Sequence, residues 1–452
     1  MLSKILNKTT DRQKIFAKAI GGTFSVNVAG LLTSFLMQLA LTRNMGEFEY
    51  GQYAYVIGWV NILSILFKAG LDIACIKHVP SYLASENGKL AIKYIHNSSK
   101  ILALISISGA TIFALTILFS YNEPQDNLKK VFYLGACLLP IICSLQFNGA
   151  ISQAFKKPVI SQTIQNIYRP GTIAALVITI ALITQTNLNA TIAISLNIIV
   201  TLILLLLLKR KNNDSIKQIN CLKNEASETQ SAQIFSTIAG LFLITFFNQL
   251  INQTDLICVG SFLDTTQAGI YSVSSRLGSL IQFSITASNL VAAPLIAELY
   301  TKGKLKELDR IINLGSIIVL SISIPILLII VLFGKNILGL YGEAFTQGYY
   351  PLIVLCGARF MNALFGFSGY MLSMTNNHML AAKILGFCAA INLVGNYYFI
   401  NQYGMIGASY SSFFSAACWG IIMSFFVYRK IGINPTIFRI YLKKNEGVLN
   451  EE

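Results

Sequence analysis

Lys209-Arg210-Lys211-Asn212-Asn213-Asp214 opens a short basic, hydrophilic stretch that runs to Ser231, with about two hundred strongly apolar residues on either side of it. It divides the chain into two halves of nearly equal length. Each half can be cut into six apolar segments long enough to cross a bilayer. The stretch therefore reads as the cytoplasmic connector between two lobes of a membrane protein.

Composition agrees. Of 452 residues, 54% are hydrophobic and only 12% charged, and mean hydropathy is positive, so there are too few charges to cover a soluble surface of this size. With about 20 apolar residues needed per spanning helix, the chain divides into twelve segments. They lie at roughly 21–42, 50–70, 99–120, 131–153, 167–185, 189–208, 233–256, 269–297, 310–333, 348–372, 379–400 and 404–428. The fold expected is an all-α polytopic membrane protein of twelve transmembrane helices in two six-helix lobes.

A net charge of +15 would point to nucleic acid in a soluble protein. Here the placement of Lys and Arg decides its meaning. With the N-terminus in the cytoplasm, 28 of the 34 basic residues fall on inside segments. Arg43, Lys129, Lys130 and Lys335 fall outside, and Arg276 and Arg359 fall within helices. The topology expected is N-in, C-in, without nucleic acid as a partner. Residues 1–20 interleave Lys and Arg with Leu2, Ile5, Leu6, Ile15 and Phe16, as an amphipathic segment on an anionic leaflet does. The remaining divisions are a first lobe at 21–208, a linker at 209–232, a second lobe at 233–428 and a cytoplasmic tail at 429–452.

The first apolar run has full spanning length and lacks a small-residue cleavage pattern, so a cleaved signal peptide is not expected. Residues 71–98 are too polar to span and read as a basic inside loop. The outside connections are short, which leaves no room for an extracytoplasmic catalytic domain, and no catalytic residue is assigned. The eight Cys are dispersed without a CxxC pair, so neither a disulfide nor a metal site is expected. No cofactor is expected either.

A weak internal repeat is visible. Gly51-Gln52-Tyr53 after the first segment matches Gly269-Ile270-Tyr271 after the seventh, and Gly88-Lys89 recurs as Gly303-Lys304. Two halves whose odd-numbered helices point the same way imply a parallel repeat about an axis along the membrane normal.

Polar residues recur at helical steps of three and four on several segments, and such faces cannot look at lipid. One comprises Ser272, Arg276, Ser279, Gln282, Thr286 and Asn289; another Thr245, Asn248, Asn252 and Asp255; a third Asn61, Ser64, Lys68 and Asp72. For the neutral groups, hydrogen bonding between helices as packing glue, worth about 0.6 kcal/mol each, competes evenly with a cavity role. Asn61, Asn248, Asn252 and Gln282 are the candidates for a polar cavity face. Ionised groups at depth cost more, about 2.5–3.5 kcal/mol each on the insertion scale, so Arg276 and Arg359 are expected to face a water-filled cavity or a buried partner. Lys68, Arg169 and Lys383, near inner helix ends, and Arg43, at an outer end, can instead snorkel to the interface. Where such cations converge they make an anion site, with Arg suited to bidentate phosphate contacts. Asp72 and Asp255 are the candidate counter-charges, or alternatively the groups that bind a coupling cation or proton. Pro140, Pro170, Pro294 and Pro325 mark kinks within spans.

The sequence resembles the Wzx-type polysaccharide (O-antigen) flippases of the multidrug/oligosaccharidyl-lipid/polysaccharide exporter superfamily. The resemblance rests on Gly46-Glu47-Phe48-Glu49-Tyr50-Gly51-Gln52-Tyr53, Gly70-Leu71-Asp72-Ile73-Ala74, Ala268-Gly269-Ile270-Tyr271-Ser272 and Leu332-Phe333-Gly334. It continues through Leu340-Tyr341-Gly342-Glu343-Ala344-Phe345, Ile391-Asn392-Leu393 with Asn396, and Gln402-Tyr403-Gly404-Met405-Ile406-Gly407-Ala408-Ser409. It implies two six-helix lobes forming a V around a central cavity that opens alternately to each side. The implied substrate is an undecaprenyl-diphosphate-linked oligosaccharide, moved from the cytoplasmic to the periplasmic leaflet of a bacterial inner membrane for O-antigen, capsule or exopolysaccharide synthesis. Membrane lipids, the polysaccharide polymerase and its chain-length machinery are the implied partners. Twelve helices rather than fourteen depart from the lipid II flippase branch.

A diphosphate bearing a polar glycan cannot cross hydrocarbon unaided, so a polar, cationic interior suits this reading. No GxxxxGK[ST] loop is present, which leaves a gradient of H+ or Na+, the membrane potential or downstream consumption as the energy source. The alternatives are an ion-coupled multidrug exporter, for which an acidic and aromatic cavity is expected, and a membrane polymerase or ligase, for which a sizeable outside loop is expected. Both Arg276→Ala and Arg359→Ala are expected to abolish transport.

Overall fold

The computed structural model describes residues 2–85, 87–120, 126–184, 187–219, 232–375 and 377–436. Its elements are α1 (Leu2–Lys68), α2 (Leu71–Ala84), α3 (Gly88–Ser120), α4 (Asp126–Ala154), α5 (Pro158–Gln162), a π-helical turn (Thr163–Tyr168), α6 (Arg169–Thr184) and α7 (Ala190–Ile219). They continue with α8 (Ala232–Phe262), α9 (Thr265–Thr301), α10 (Leu305–Gly339), a 3-10 turn (Glu343–Gly348), α11 (Tyr349–Phe365), α12 (Ser368–Met374), α13 (His378–Tyr403) and α14 (Met405–Ile431). In a bilayer a helix satisfies its backbone within itself, which is why an apolar chain of this kind takes the form.

Each of the twelve expected segments falls on this helical framework. α1 carries the first two and breaks at Gly46 (φ 74°, ψ 177°), a conformation open to glycine, within the turn expected between them. By length and apolarity eight described helices qualify as spans. α8 and α9 combine apolar runs with recurring Asn, Gln, Ser and Thr, the residues that form their polar faces.

The fifth segment falls on the end of the π turn and on α6, with α5 preceding it, and the π turn has an identifiable cause. Pro170 has no N–H to offer the carbonyl of Asn166, and Thr33 Oγ1 from α1 donates to that oxygen instead at 2.8 Å. The tenth segment likewise breaks between α11 and α12 at Gly366 (φ 50°).

Two expectations are corrected. Residues 71–98 do not form a polar loop: α2 is a helix that buries Ala74, Cys75 and Val79, and α3 begins at Gly88. Too polar to span, α2 is held by packing against α3 and α4. The linker also departs from a solvated strand of chain. Its first part continues α7 to Ile219, where Asn212 is buried and donates to the Asn148 carbonyl at 2.8 Å, and Lys157 Nζ reaches Ser215 Oγ at 2.9 Å. The rest of the linker, the end of the tail and the side chains of residues 1–20 lie outside the described residues, as do the side chains of Thr286 and Asn289.

The chain divides into two compact units, Met1–Ile238 and Ala239–Glu452. In the first, α4 is the hub, packed by α1, α2, α3 and α7 around Val56, Val60, Leu138, Leu139 and Cys143. In the second, α9, α10, α12, α13 and α14 contribute to a core that includes Ile296, Ile312, Phe367, Met371, Cys388, Met423 and Val427. Large apolar side chains such as Leu104, Phe119, Leu182, Ile183 and Leu332 stand exposed on the helix exteriors, as hydrocarbon contact requires.

Candidate functional site

The polar face of α8 is where the second unit concentrates its chemistry. Asp255 is 4% exposed and accepts four side-chain hydrogen bonds from three other helices. Tyr271 Oη of α9 donates to Oδ2 at 2.9 Å, and Ser412 Oγ of α14 donates to the same oxygen. Asn392 Nδ2 and Asn396 Nδ2, one turn apart on α13, donate to Oδ1 at 3.0 and 2.8 Å. A carboxylate taken out of water is tolerated when its lone pairs are met in this way. Arg359 on α11 lies within electrostatic reach of both Asp255 and Tyr271.

Beside this cluster is a cavity of about 460 Å³, lined wholly from the second unit. Asn248, Asn252, Gln282, Arg359, Asn362 and Trp419 line it, and Ser412 lies between it and Asp255. Four residues singled out in the sequence, Asn248, Asn252, Gln282 and Arg359, are thus brought together. Of the six candidate cations, Arg359 is the one that lines this cavity. Arg276 on α9 and Lys383 on α13 are exposed elsewhere on the unit.

In the first unit, Lys68 is 7% exposed and pairs with Asp72 across the break between α1 and α2, Nζ to Oδ2 at 2.6 Å. Ala69 (φ 47°) and Gly70 (φ 76°) make the turn that brings them together. Asp72 thereby acts as a counter-charge. Arg169 Nη2 donates to Asn197 Oδ1 at 3.0 Å, and Asn197 Nδ2 donates to Tyr53 Oη at 3.1 Å. Arg43 is exposed, and Asn61 is half-buried with its carbonyl accepting from Ser64 at 2.9 Å.

Among the described residues there is no cluster of three or more His, Cys, Asp or Glu that could hold a metal. Sequence reasoning missed Trp419, Tyr271 and Ser412 as site residues. The spacing of Asn392 and Asn396, i and i+4 on one helix face, was the signal that could have joined them to Asp255.

The family model described as "Polysaccharide biosynthesis protein" matches residues 16–300, and a model for MatE matches residues 240–398. Two relatives from Haloferax volcanii are "Probable low-salt glycan biosynthesis flippase Agl15", 24% identical over 36% of this chain and 35% of that one, and "Probable flippase AglR", 27% identical over 37% and 36%. The matched part is therefore about a third of the length of these curated relatives. Among solved structures, an inward-facing multidrug resistance MATE family transporter of the MOP superfamily superposes with a TM-score of 0.70 at 11% identity, covering 91% of this chain and 98% of the other. The fold is that of this transporter superfamily, as the resemblance implied, and by the match over residues 16–300 the chain belongs to the polysaccharide biosynthesis protein family.

Proposed function

We propose that this protein is a flippase that moves an undecaprenyl-diphosphate-linked oligosaccharide from the cytoplasmic to the outer leaflet of a bacterial inner membrane by alternating access. The product feeds O-antigen, capsule or exopolysaccharide synthesis. The observation that carries the reading is the cavity of about 460 Å³, lined by amides and by Arg359, inside a unit whose outer surface is hydrocarbon-like. A polar head crossing a membrane needs such an environment, because each polar group left in hydrocarbon without a partner costs several kcal/mol. The family match and the names of the two Haloferax relatives support the glycan-carrier class.

Arg359, with Arg276, Arg169, Lys68, Lys383 and Arg43 as further candidates, would meet the anionic head. Asp255 is the better-placed coupling group for H+ or Na+, since it is buried and held by donors from three helices, whereas Asp72 already neutralises Lys68. An N-in, C-in topology follows from the distribution of Lys and Arg. The polymerase and chain-length machinery are the expected functional neighbours.

One observation favours a second reading, an ion-coupled multidrug exporter: the MatE match, over residues 240–398, takes in Asp255 and the part of the cavity lining that precedes α14. Deleting the gene in a host that displays its surface glycan separates the two. Loss of the surface glycan with lipid-linked units held on the cytoplasmic face supports the flippase; normal glycan with raised sensitivity to organic cations supports the exporter.

A further inference from the structure

The cavity in the second unit is built unlike a diphosphate site. A diphosphate brings at least two negative charges, whereas among the described residues the lining offers one cation, Arg359, which already lies in the field of Asp255. The remaining polar lining is neutral. Asn248 Nδ2 donates to the Ile244 carbonyl at 3.0 Å and Asn252 Nδ2 to the Asn248 carbonyl at 2.8 Å. Both amides are thereby tethered to their own helix, and both residues line the cavity.

An aromatic platform completes it. Trp419 of α14 lines the cavity, and its indole Nε1 is buried without a hydrogen-bond partner among the described residues. A buried donor left unmet is costly, so its presence marks a place for an acceptor. Gly369 makes room for the ring: a Cβ there would stand 3.0 Å from Trp419 Cζ2. Tyr370, the next residue, also lines the cavity.

An indole face, an indole N–H and tethered amides are the groups that recognise a pyranose. A sugar ring offers an apolar C–H face for stacking, and its hydroxyls both donate and accept. An organic cation is poorly served, since Arg359 repels it and the carboxylate of Asp255 is already engaged by four donors. The volume lies within the range of about 300–1,000 Å³ typical of small-ligand sites.

We propose that this cavity is a saccharide subsite, in which neutral sugar of the translocated glycan stacks on Trp419 and hydrogen-bonds to its Nε1, to Asn248 and to Asn252. The proposal rests on the flippase reading; Arg359 is then the cavity's one contact with the anionic head, and the rest of the diphosphate charge is met by cations outside this cavity.

The chain has two tryptophans, so Trp59→Phe leaves Trp419 as the only one. The purified full chain with that substitution is titrated with N-acetylglucosamine, glucose, galactose and rhamnose, and separately with pyrophosphate and tetraphenylphosphonium, while Trp419 emission is followed. A saturable change with at least one sugar, weakened about tenfold or more by Asn248→Ala with Asn252→Ala and absent with the other two probes, is expected. A response to pyrophosphate or to the organic cation alone would overturn the subsite, as would silence with every sugar in a protein that still transports. A strain that displays its glycan without this protein refutes the flippase reading whatever the titration gives. In transport, Trp419→Ala is expected to lose about tenfold and Trp419→Phe, which keeps a ring but not the N–H, less; equal losses would contradict a role for the ring.

Discussion

Asn396 Nδ2 on α13 donates to Asp255 Oδ1 on α8 across 2.8 Å, joining residues 141 positions apart in the chain. With Asn392, Tyr271 and Ser412 it makes the carboxylate the node at which α8, α9, α13 and α14 meet. Asp255→Ala would leave four buried donors without their acceptor, at about 1–3 kcal/mol each before relaxation. The expected result is a fall in the thermal midpoint of the purified protein that is larger than that of Asp255→Asn, which keeps the volume. If Asp255 is the coupling group, Asp255→Asn also makes transport indifferent to the imposed ion gradient. An Asp255→Ala protein with an unchanged midpoint would remove the node.

Lys68 and Asp72 make a testable pair in the first unit. Their side chains are 9% and 21% exposed, so Asp72→Ala strands a mostly buried ammonium. The loss expected is about 3 kcal/mol, the low end for a broken buried pair because Asp72 retains some solvent. Replacing both, Lys68→Met with Asp72→Leu, should restore most of it, since the charge and its partner leave together. Chemical denaturation of the single and double variants measures the difference, and equal losses in both would contradict the pairing.

His78 on α2 gives a pH dependence. Its ring stacks on Tyr82 at 5.9 Å and lies 5.4 Å from Tyr94. Burial, aided by Lys77, lowers its pKa below the usual histidine value. The unfolded chain then binds the proton more readily than the folded one, so no stability is lost above the unfolded pKa. Stability falls as pH drops from about 6.5 toward the depressed folded value. Thermal midpoints of wild type and His78→Phe, compared between about pH 7.5 and 5.5, should diverge on the acid side, with the wild type falling further. Parallel curves would contradict the assignment.

The turn between α13 and α14 depends on two glycines. Gly404 adopts φ 62° and ψ −142°, a conformation costing a side chain about 1–3 kcal/mol. A Cβ on Gly407 would overlap the Phe399 carbonyl oxygen, a backbone atom that cannot rotate away. Gly407→Ala is therefore expected to reduce folded yield more than Gly404→Ala, as read by size-exclusion recovery after membrane extraction. The reverse order would mean that strain, not close approach, governs the turn.

The glycine motif that contributed to the family resemblance thus has a physical reason, but one not readable from spacing alone. Hydropathy located the spans, because length and apolarity are local properties of the chain. It failed at α2, whose helix is held by burial of Ala74, Cys75 and Val79 and by packing against α3 and α4, contacts that a hydropathy window does not see. Periodicity placed Arg276 and Gln282 on one polar face of α9, yet only Gln282 lines the cavity. A helical repeat tells which residues share a face, not what that face meets. Trp419 stayed hidden because it sits in the run Ala416-Ala417-Cys418-Trp419-Gly420, where an aromatic residue in an apolar span carries no contrast.

Proteoliposomes loaded with undecaprenyl-diphosphate oligosaccharide, with the glycan exposed on the outer leaflet scored by an impermeant lectin, show whether the protein moves a lipid-linked oligosaccharide. Protein-dependent movement between leaflets is expected, lost in Arg359→Ala and reduced less in Arg276→Ala, the exposed cation off the cavity. Leaflet distribution identical to protein-free vesicles, while an organic cation is pumped under an ion gradient, would contradict it.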